Sequence, residues 1–235
     1  MIPALYAKIK HIIAQYLTIF KLTGLETPVI GRPKKINNTD ALTFALYQHA
    51  STRATKKSVY EDFKKTLACS YKTFVVSINK VAELSLRLLS IFMRFNRQAS
   101  HLVKYTDATD IPVCLKKNMD EHKTMRSLAG LGRSTKGWFY GLKMTLTRDH
   151  EGKMLALRFT KPGENDRDVF REINKDIYGI IVADAGYVSV QLEKDMNLEG
   201  KRWVMIRPFK TMKKLMTKWL EQLYKGRFNI EFDFR

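Results

Sequence analysis

The sequence predicts an α/β protein, a mixed sheet flanked by helices, preceded by an all-helical N-terminal domain. Two observations set this expectation. Apolar residues recur with a helical period up to about residue 100, and from about residue 101 the period shortens to the two-residue alternation of strands. Strand-like and helix-like segments then follow one another, the pattern of a sheet covered by helices.

In the first segment Ile9, Ile12, Ile13, Tyr16, Leu17 and Phe20 fall on one helix face, which predicts a core-facing helix. The basic stretch TPVIGRPKKINNTD follows, and its GRPKK run reads either as a minor-groove hook or as a plain linker. Thr39 or Asp40 can cap ALTFALYQHA, after which KKSVYEDFKKTLA and YKTFVVSINKVAELSLRLLSIFMRF continue the helical period. The break Ala68-Cys69-Ser70 is compatible with a helix-turn-helix whose second helix starts near Tyr71 and offers Lys72, Asn79 and Lys80 to DNA. An ordinary helical hairpin with a solvated lysine face has the same pattern. Residues 1–100 are therefore expected to form a helical, DNA-binding domain, and residues 101–235 a second domain.

In the second part LVKYTDAT reads as a strand. Trp138, Tyr140, Leu142, Met144 and Leu146 alternate with Phe139, Gly141, Lys143, Thr145 and Thr147, which predicts a half-buried strand. Leu155, Leu157 and Phe159 continue the alternation after the turn DHEGK and predict a hairpin partner. NDRDVFREINK is expected to be a helix, YGIIVADAGY a buried strand with a sharp end, SVQLEKDM a short helix and RWVMIRPF a strand, with a long basic helix from about Thr211. The order strand, strand, strand, helix, strand, helix, strand, helix is that of RNase H.

An apolar fraction of 45% with 11% aromatic residues is ample for a buried core, so disorder is not the default reading. The 42 Lys and Arg against 23 Asp and Glu give a net charge of +19, which makes nucleic acid the first partner to consider. Residues 1–100 carry 16 basic and 5 acidic residues, and the remainder 26 and 18, so both parts are suited to facing phosphate. Cys69 and Cys114 show neither disulfide nor zinc spacing, and a reducing cytoplasm, on the nucleoid, is the expected location. Lys8, Lys10 and His11 interrupt the apolar N-terminus, and no membrane-spanning segment is predicted.

Three acids stand out: Asp107 in LVKYTDATDIPVC, Asp184 in IIVADAGY and Glu231 in YKGRFNIEFDFR. Two divalent ions held by oxygen ligands can activate the attacking oxygen of phosphodiester chemistry and stabilise the leaving one, and three well-placed carboxylates can serve two ions. Each acid also has a plain alternative. Asp107 suits a polar loop with Thr106, Thr109 and Asp110, Asp184 a turn at a strand end, and Glu231 a solvated helix face with i,i+4 partners. Asp166 and Asp168 are expected to begin a helix and not to bind metal.

Several blocks together resemble the insertion-sequence DDE transposases, an RNase H-like group. DATDIPVC is similar to the family's first-aspartate block with Asp107 in the catalytic register, and VADAGY to its second. SLAGLGRSTKGWFYGLKMTL resembles the long basic loop and second strand of one subgroup, and PGENDRDVF the start of a helix. Tyr224, Arg227 and Glu231 spell Tyr-x2-Arg-x3-Glu, the signature around the last catalytic acid. The resemblance implies that Asp107, Asp184 and Glu231 bind two Mg2+, with Mn2+ able to substitute. It further implies that water cuts double-stranded DNA at the element's inverted repeats, and that the freed 3′-hydroxyl attacks target DNA, in a homo-dimer on DNA.

The 115–136 stretch, with Lys116, Lys117, Lys123, Arg126, Arg133 and Lys136, reads as a DNA-facing loop whose Gly130, Gly132 and Gly137 admit phosphate closely. Arg227 would bring a guanidinium to a phosphate or else pair with Glu231, and Tyr224 belongs to the same DNA-facing signature. In the family a Lys follows the Glu after six residues, which here would be residue 238. The C-terminal part of the domain is therefore expected to be missing, and a non-catalytic DNA-binding regulator is the alternative function. A host nuclease using the same acids is a third reading, distinguished by hydrolysis without joining.

Overall fold

The computed structural model describes residues 3–22, 34–121, 125–134, 137–209, 211–212 and 216–234. It divides into two compact units, residues 1–89 and 90–235, and the boundary falls inside one helix.

The first unit holds α1 (Ala4–Ile19), α2 (Asn38–Ala50), α3 (Lys56–Phe63), α4 (Tyr71–Lys80) and the start of α5 (Ala82–Gln98). Side-chain caps set three of these starts: Asn37 accepts from the Asp40 N–H, Thr55 from Ser58 and Ser70 from Thr73. Asn37 thus caps α2 two residues ahead of the expected Thr39. The helix expected to run on from Tyr71 is interrupted at Val81, which closes α4 before α5 begins. On α1 the buried stripe is Tyr6, Ile13 and Leu17, whereas Ile12 and Tyr16 of the expected face are exposed. The stripe is rotated because Tyr6 anchors the helix. Its ring packs against Phe44 and Phe63, and its hydroxyl donates to Asp40 Oδ1 at 2.9 Å. Burial and Asp40 both push the Tyr6 hydroxyl pKa up, so this hydroxyl stays a donor.

The second unit is built on a six-stranded mixed sheet of β1 (Val103–Leu115), β2 (Gly130–Ser134), β3 (Gly137–Asp149), β4 (Met154–Thr160), β5 (Gly179–Ala183) and β6 (Arg202–Ile206). The strand order is β2-β3-β1-β5-β6, and β4 lies on the same outer edge of β3 as β2, further along. Pairing is antiparallel among β1 to β4 and parallel from β1 through β5 to β6. α6 (Asp166–Ile173), α7 (Val190–Leu198), α8 (Lys218–Lys225) and α9 (Phe228–Asp233) complete the fold.

Strand β2 is one addition to the expected order, formed by part of the stretch read as a loop. Its Gly132 serves packing: a Cβ there would come within 2.6 Å of both Phe139 and Pro162. The long basic helix expected from Thr211 is also shorter than predicted. It begins at the Thr217 cap and breaks at Gly226 and Arg227 into α8 and α9.

Alternation sorts the sheet into two cores. Leu155, Ile181, Ala183, Val204 and Ile206 pack with Phe170 of α6 and Met196 of α7 on one face. Val103, Tyr105, Leu146, Val182 and Met205 pack with Tyr224 of α8 and Ile230 of α9 on the other. Strand β3 is therefore covered on both faces where a half-buried strand was expected. Its Thr145 and Thr147 are buried, and polar partners meet Thr147: the Thr147 and Thr106 hydroxyls contact each other at 2.8 Å and Asn174 Oδ1 at 3.0 and 3.2 Å. Asn174 Nδ2 in turn donates to the Phe170 carbonyl at 3.0 Å.

Asn174→Ala would leave this buried hydroxyl pair short of its acceptor. The expected loss of unfolding free energy is about 1–3 kcal/mol, read from the urea midpoint at unchanged m-value.

Candidate functional site

Parity and register bring two of the three acids together. On β1, residues 103, 105 and 107 share a face, and on β5 the matching set is residues 180, 182 and 184. The parallel register ends at Thr106 opposite Ala183, so Asp107 and Asp184 each follow the last pair and point toward the face covered by α8 and α9. Strand β1 continues to Leu115 paired, among the described residues, only with β3. Its free edge from Asp107 onward answers why an aspartate is tolerated inside a strand. Pro112 is tolerated there for the same reason, with a bulge beside it.

The α8–α9 junction supplies the rest. Tyr224 donates its hydroxyl to Asp184 Oδ1 at 2.7 Å. Arg227, 7% exposed, donates from Nη1 to Asp107 Oδ2 at 2.5 Å and from Nη2 to Glu231 Oε1 at 3.4 Å. Its guanidinium also lies over the Tyr224 and Phe228 rings, 5.2 and 5.4 Å from their centroids. Arg227 Nε is buried without a hydrogen-bond partner among the described residues. Asp107 and Asp184 are half-buried, and Glu231 keeps 46% of its side chain exposed.

The electrostatics follow from this crowding. Burial pushes the Asp107 carboxyl pKa above its ordinary value, Arg227 and the Ala108 N–H pull it back, and the charges of Asp184 and Glu231 add to the rise. Burial would raise Asp184 as well. There the Tyr224 hydroxyl, the Ala185 N–H, Arg227 and Arg207 outweigh it and hold that carboxyl below its usual range. Asp107, Tyr224 and Asp184 keep Arg227 charged against the cost of its own burial.

As placed, no three His, Cys, Asp or Glu side chains among the described residues form a ready metal site. The donor set nevertheless suits a hard divalent ion: it is all carboxylate, and it already gathers around a cation, the Arg227 guanidinium. Asp107, Asp184 and Glu231 are the residues that could hold one.

Of the expected DNA contacts, Tyr224 and Arg227 lie at the acids and the others lie elsewhere. Lys116 and Lys117 sit in an exposed 3-10 turn after β1, and Lys116 and Arg133 flank the Trp138 ring at 5.4 and 5.8 Å. Leu115 pairs with Phe139 while Asp107 pairs with Leu146, so this cluster stands roughly 25 Å along the strand from Asp107. Arg126 donates to the Asp120 carbonyl at 2.7 Å, and Lys123 and Lys136 lie outside the described residues. In the first unit Lys72 lines a cleft of about 430 Å³ together with Lys34, Lys35 and Lys80. Asn79, grouped with Lys72 and Lys80 in the sequence, accepts from Lys56 Nζ at 2.6 Å. The first three residues of GRPKK, Gly31 to Pro33, are outside the described residues.

Residues 97–234 match the family described as transposase DDE domain. The chain belongs to this family. It carries a transposase DDE domain of the RNase H-like superfamily, with which the order of the sheet agrees. No curated protein matches the chain by sequence. Among solved structures it is similar to a piggyBac transposase synaptic complex with hairpin DNA, at 13% identity and a TM-score of 0.49, over 89% of this chain and 50% of that one. The transposase thus spans about half the length of that relative. It is more distantly similar to the Mos1 mariner paired end complex with Mn, at 13% identity and a TM-score of 0.28, covering 94% of this chain and 84% of the other. The Mos1 Strand Transfer Complex gives 10% identity and a TM-score of 0.31 over 94% and 83%.

Three supporting residues escaped the sequence reading. Arg207 extends β6 by donating its N–H to the Ala183 carbonyl, and its guanidinium lies 4.7 Å from the Tyr224 ring centroid. Its signal was a cation at the end of the strand beside Asp184. Arg148 ties α9 to the sheet through the Asn229 carbonyl and Asp233. Gly226 lets the junction approach: a Cβ there would fall 2.0 Å from the Tyr105 hydroxyl oxygen and 2.6 Å from Cζ.

Tyr105 is buried and fixed by His150 at 3.0 Å, so it cannot yield easily. Gly226→Ala is therefore expected to cost about 1–3 kcal/mol of stability, measured by thermal or urea unfolding. The conservative surface change Lys225→Ala, beside it in sequence, should stay within roughly 0.5 kcal/mol.

Proposed function

We propose that the transposase cuts and joins DNA at the ends of an insertion sequence by metal-dependent phosphoryl transfer, with Asp107, Asp184 and Glu231 as the acids. The observation that supports it most is the meeting of Asp107 and Asp184 on one face of adjacent strands, under a junction that carries Tyr224, Arg227 and Glu231. Two Mg2+, with Mn2+ as substitute, would activate the attacking oxygen and stabilise the leaving one. The chain's own residues do the positioning. Tyr224 and the Ala185 N–H orient Asp184, the Ala108 N–H orients Asp107, and the Tyr105–Gly226 contact sets how near Glu231 comes. Arg227 and Arg207 bring positive charge to the phosphate.

In this reading residues 1–100 bind the element's ends, with Lys72 and Lys80 in the basic cleft contacting phosphate, and the Lys116, Lys117, Arg126, Arg133 and Lys136 region contacts flanking duplex. The protein would act as a homo-dimer on two ends, in the cytoplasm on the nucleoid. Among the described residues no helix is long and apolar enough to cross a membrane.

The test uses the DNA flanking the protein's own gene as the end substrate, with Mn2+ or Mg2+ and a plasmid target. Strand cleavage and joining are expected, and Asp107→Asn or Asp184→Asn should each cut the rate by at least roughly 10²–10³-fold while duplex binding survives. Hydrolysis with no joined product would favour a nuclease, and no cleavage under any condition would sink the enzymatic reading.

Duplex binding should weaken steeply with salt. Replacing both Lys72 and Lys80 by Ala is expected to lower the slope of log K against log salt by about 2, about one for each phosphate that is no longer neutralised, as measured by fluorescence anisotropy.

A further inference from the structure

We propose that Arg227 is the resident counter-ion of the acidic site, and that DNA phosphate must draw it off Asp107 before a divalent cation can load, which couples metal affinity to DNA through one side chain. This rests on the acidic-site reading above. Both oxygens of Asp107 already have donors: Oδ1 accepts from the Ala108 N–H at 3.0 Å, and Oδ2 from Arg227 Nη1 at 2.5 Å. The same guanidinium reaches Glu231, so it stands between two of the three acids. A divalent ion on the Asp107 oxygen that Arg227 now holds would have to share a part-buried space with a second cation, where Coulomb repulsion is poorly screened. One of the two must leave.

The guanidinium is placed to be the one that moves. Its Nε is buried and has no partner among the described residues, so the present position leaves a donor unused there, and the Nη2 contact to Glu231 is long. A phosphate offers paired acceptors that match the guanidinium fork, so Nε and a neighbouring Nη can be satisfied together. The Tyr224 and Phe228 rings beneath it form a surface along which a flat cation keeps contact while it shifts. Glu231, still 46% exposed, marks the side open to solvent. In the absence of DNA the guanidinium pairs with Asp107 and reaches Glu231, which leaves the site poorly receptive to metal. With DNA bound, the charge that blocked metal becomes a phosphate contact.

The full chain is titrated with Mn2+ by calorimetry, with and without a duplex DNA. Wild type is expected to bind Mn2+ weakly alone and roughly tenfold or more tightly with DNA. Arg227→Gln should bind Mn2+ about tenfold more tightly than wild type without DNA, and its tightening by DNA should shrink to about twofold or less. Arg227→Lys retains a cation opposite Asp107 and should stay near the wild-type affinity. Because Arg227→Gln leaves Asp107 without its counter-ion, its fold is checked by circular dichroism, and Phe228→Ala serves as a second variant. Phe228 is 46% exposed, and its removal loosens the guanidinium without touching an acid, so Mn2+ binding without DNA should tighten several-fold. The proposal is overturned if folded Arg227→Gln and Phe228→Ala both bind Mn2+ no better than wild type while Asp107→Asn abolishes that binding. If instead Asp107→Asn binds Mn2+ as wild type does, the acidic-site reading fails and the exchange fails with it.

Discussion

The unequal pairing of β1 is the constraint on which the second unit depends. Along one edge β1 is hydrogen-bonded to β3 from Lys104 to Leu115, but along the other it meets β5 only from Val103 to Thr106. The change occurs at Asp107. A carboxylate placed earlier would be enclosed by neighbouring strands on both sides, and one placed later would have no partner strand to bring Asp184 near. The parallel β1–β5 step therefore supplies proximity, and the end of that step supplies the opening.

What closes over the opening is a short helical junction and not a rigid long helix. Hydrogen bonds from Arg227 to the Tyr224 carbonyl and from Ile230 to the Arg227 carbonyl tighten the chain at the break between α8 and α9. Tyr224 and Ile230 sit in the apolar core on one side of the sheet, while Arg227 and Glu231 project from the same few residues to the acids. Packing and chemistry thus share one segment, and the missing side chain at Gly226 is what allows both. Arg148, reaching from β3 to Asp233 and Asn229, fastens the far end.

Much of this was legible in the sequence because it depends on period and spacing. Strand alternation in residues 138–147 and 155–159 is a local property that hydrophobic pattern reports, whereas the cap of α2 is Asn37 and not the expected Thr39 or Asp40. The motifs drew attention to Asp107, Asp184 and Glu231, and the strand register places Asp107 and Asp184 on one face. Non-local facts were out of reach. Residues 130–134 looked like basic loop because their strand character comes from pairing with β3 and from Phe139 and Pro162 filling the space beside Gly132. The continuous helix expected from Thr211 took no account of Gly226, whose purpose is visible only once Tyr105 is beside it. Arg227 reads as a phosphate ligand or a Glu231 partner in sequence, and its shorter contact, to Asp107, spans 120 residues.

The buried threonines on the opposite face acquire a further meaning here. Thr106 and Thr147 are paired across β1 and β3, and both meet Asn174 in a pocket where few other side chains would be satisfied. Were β1 to slip by one residue, every side chain would change faces: Thr106 would be driven into the apolar layer under α8 and α9, and Asp107 would be sent to the wrong side of the sheet. The penalty for stranding those hydroxyls in an apolar layer penalises the slipped alignment. A small polar cluster that touches neither acid nor α8 or α9 therefore acts as an alignment key, checking from behind the sheet that the first aspartate faces forward.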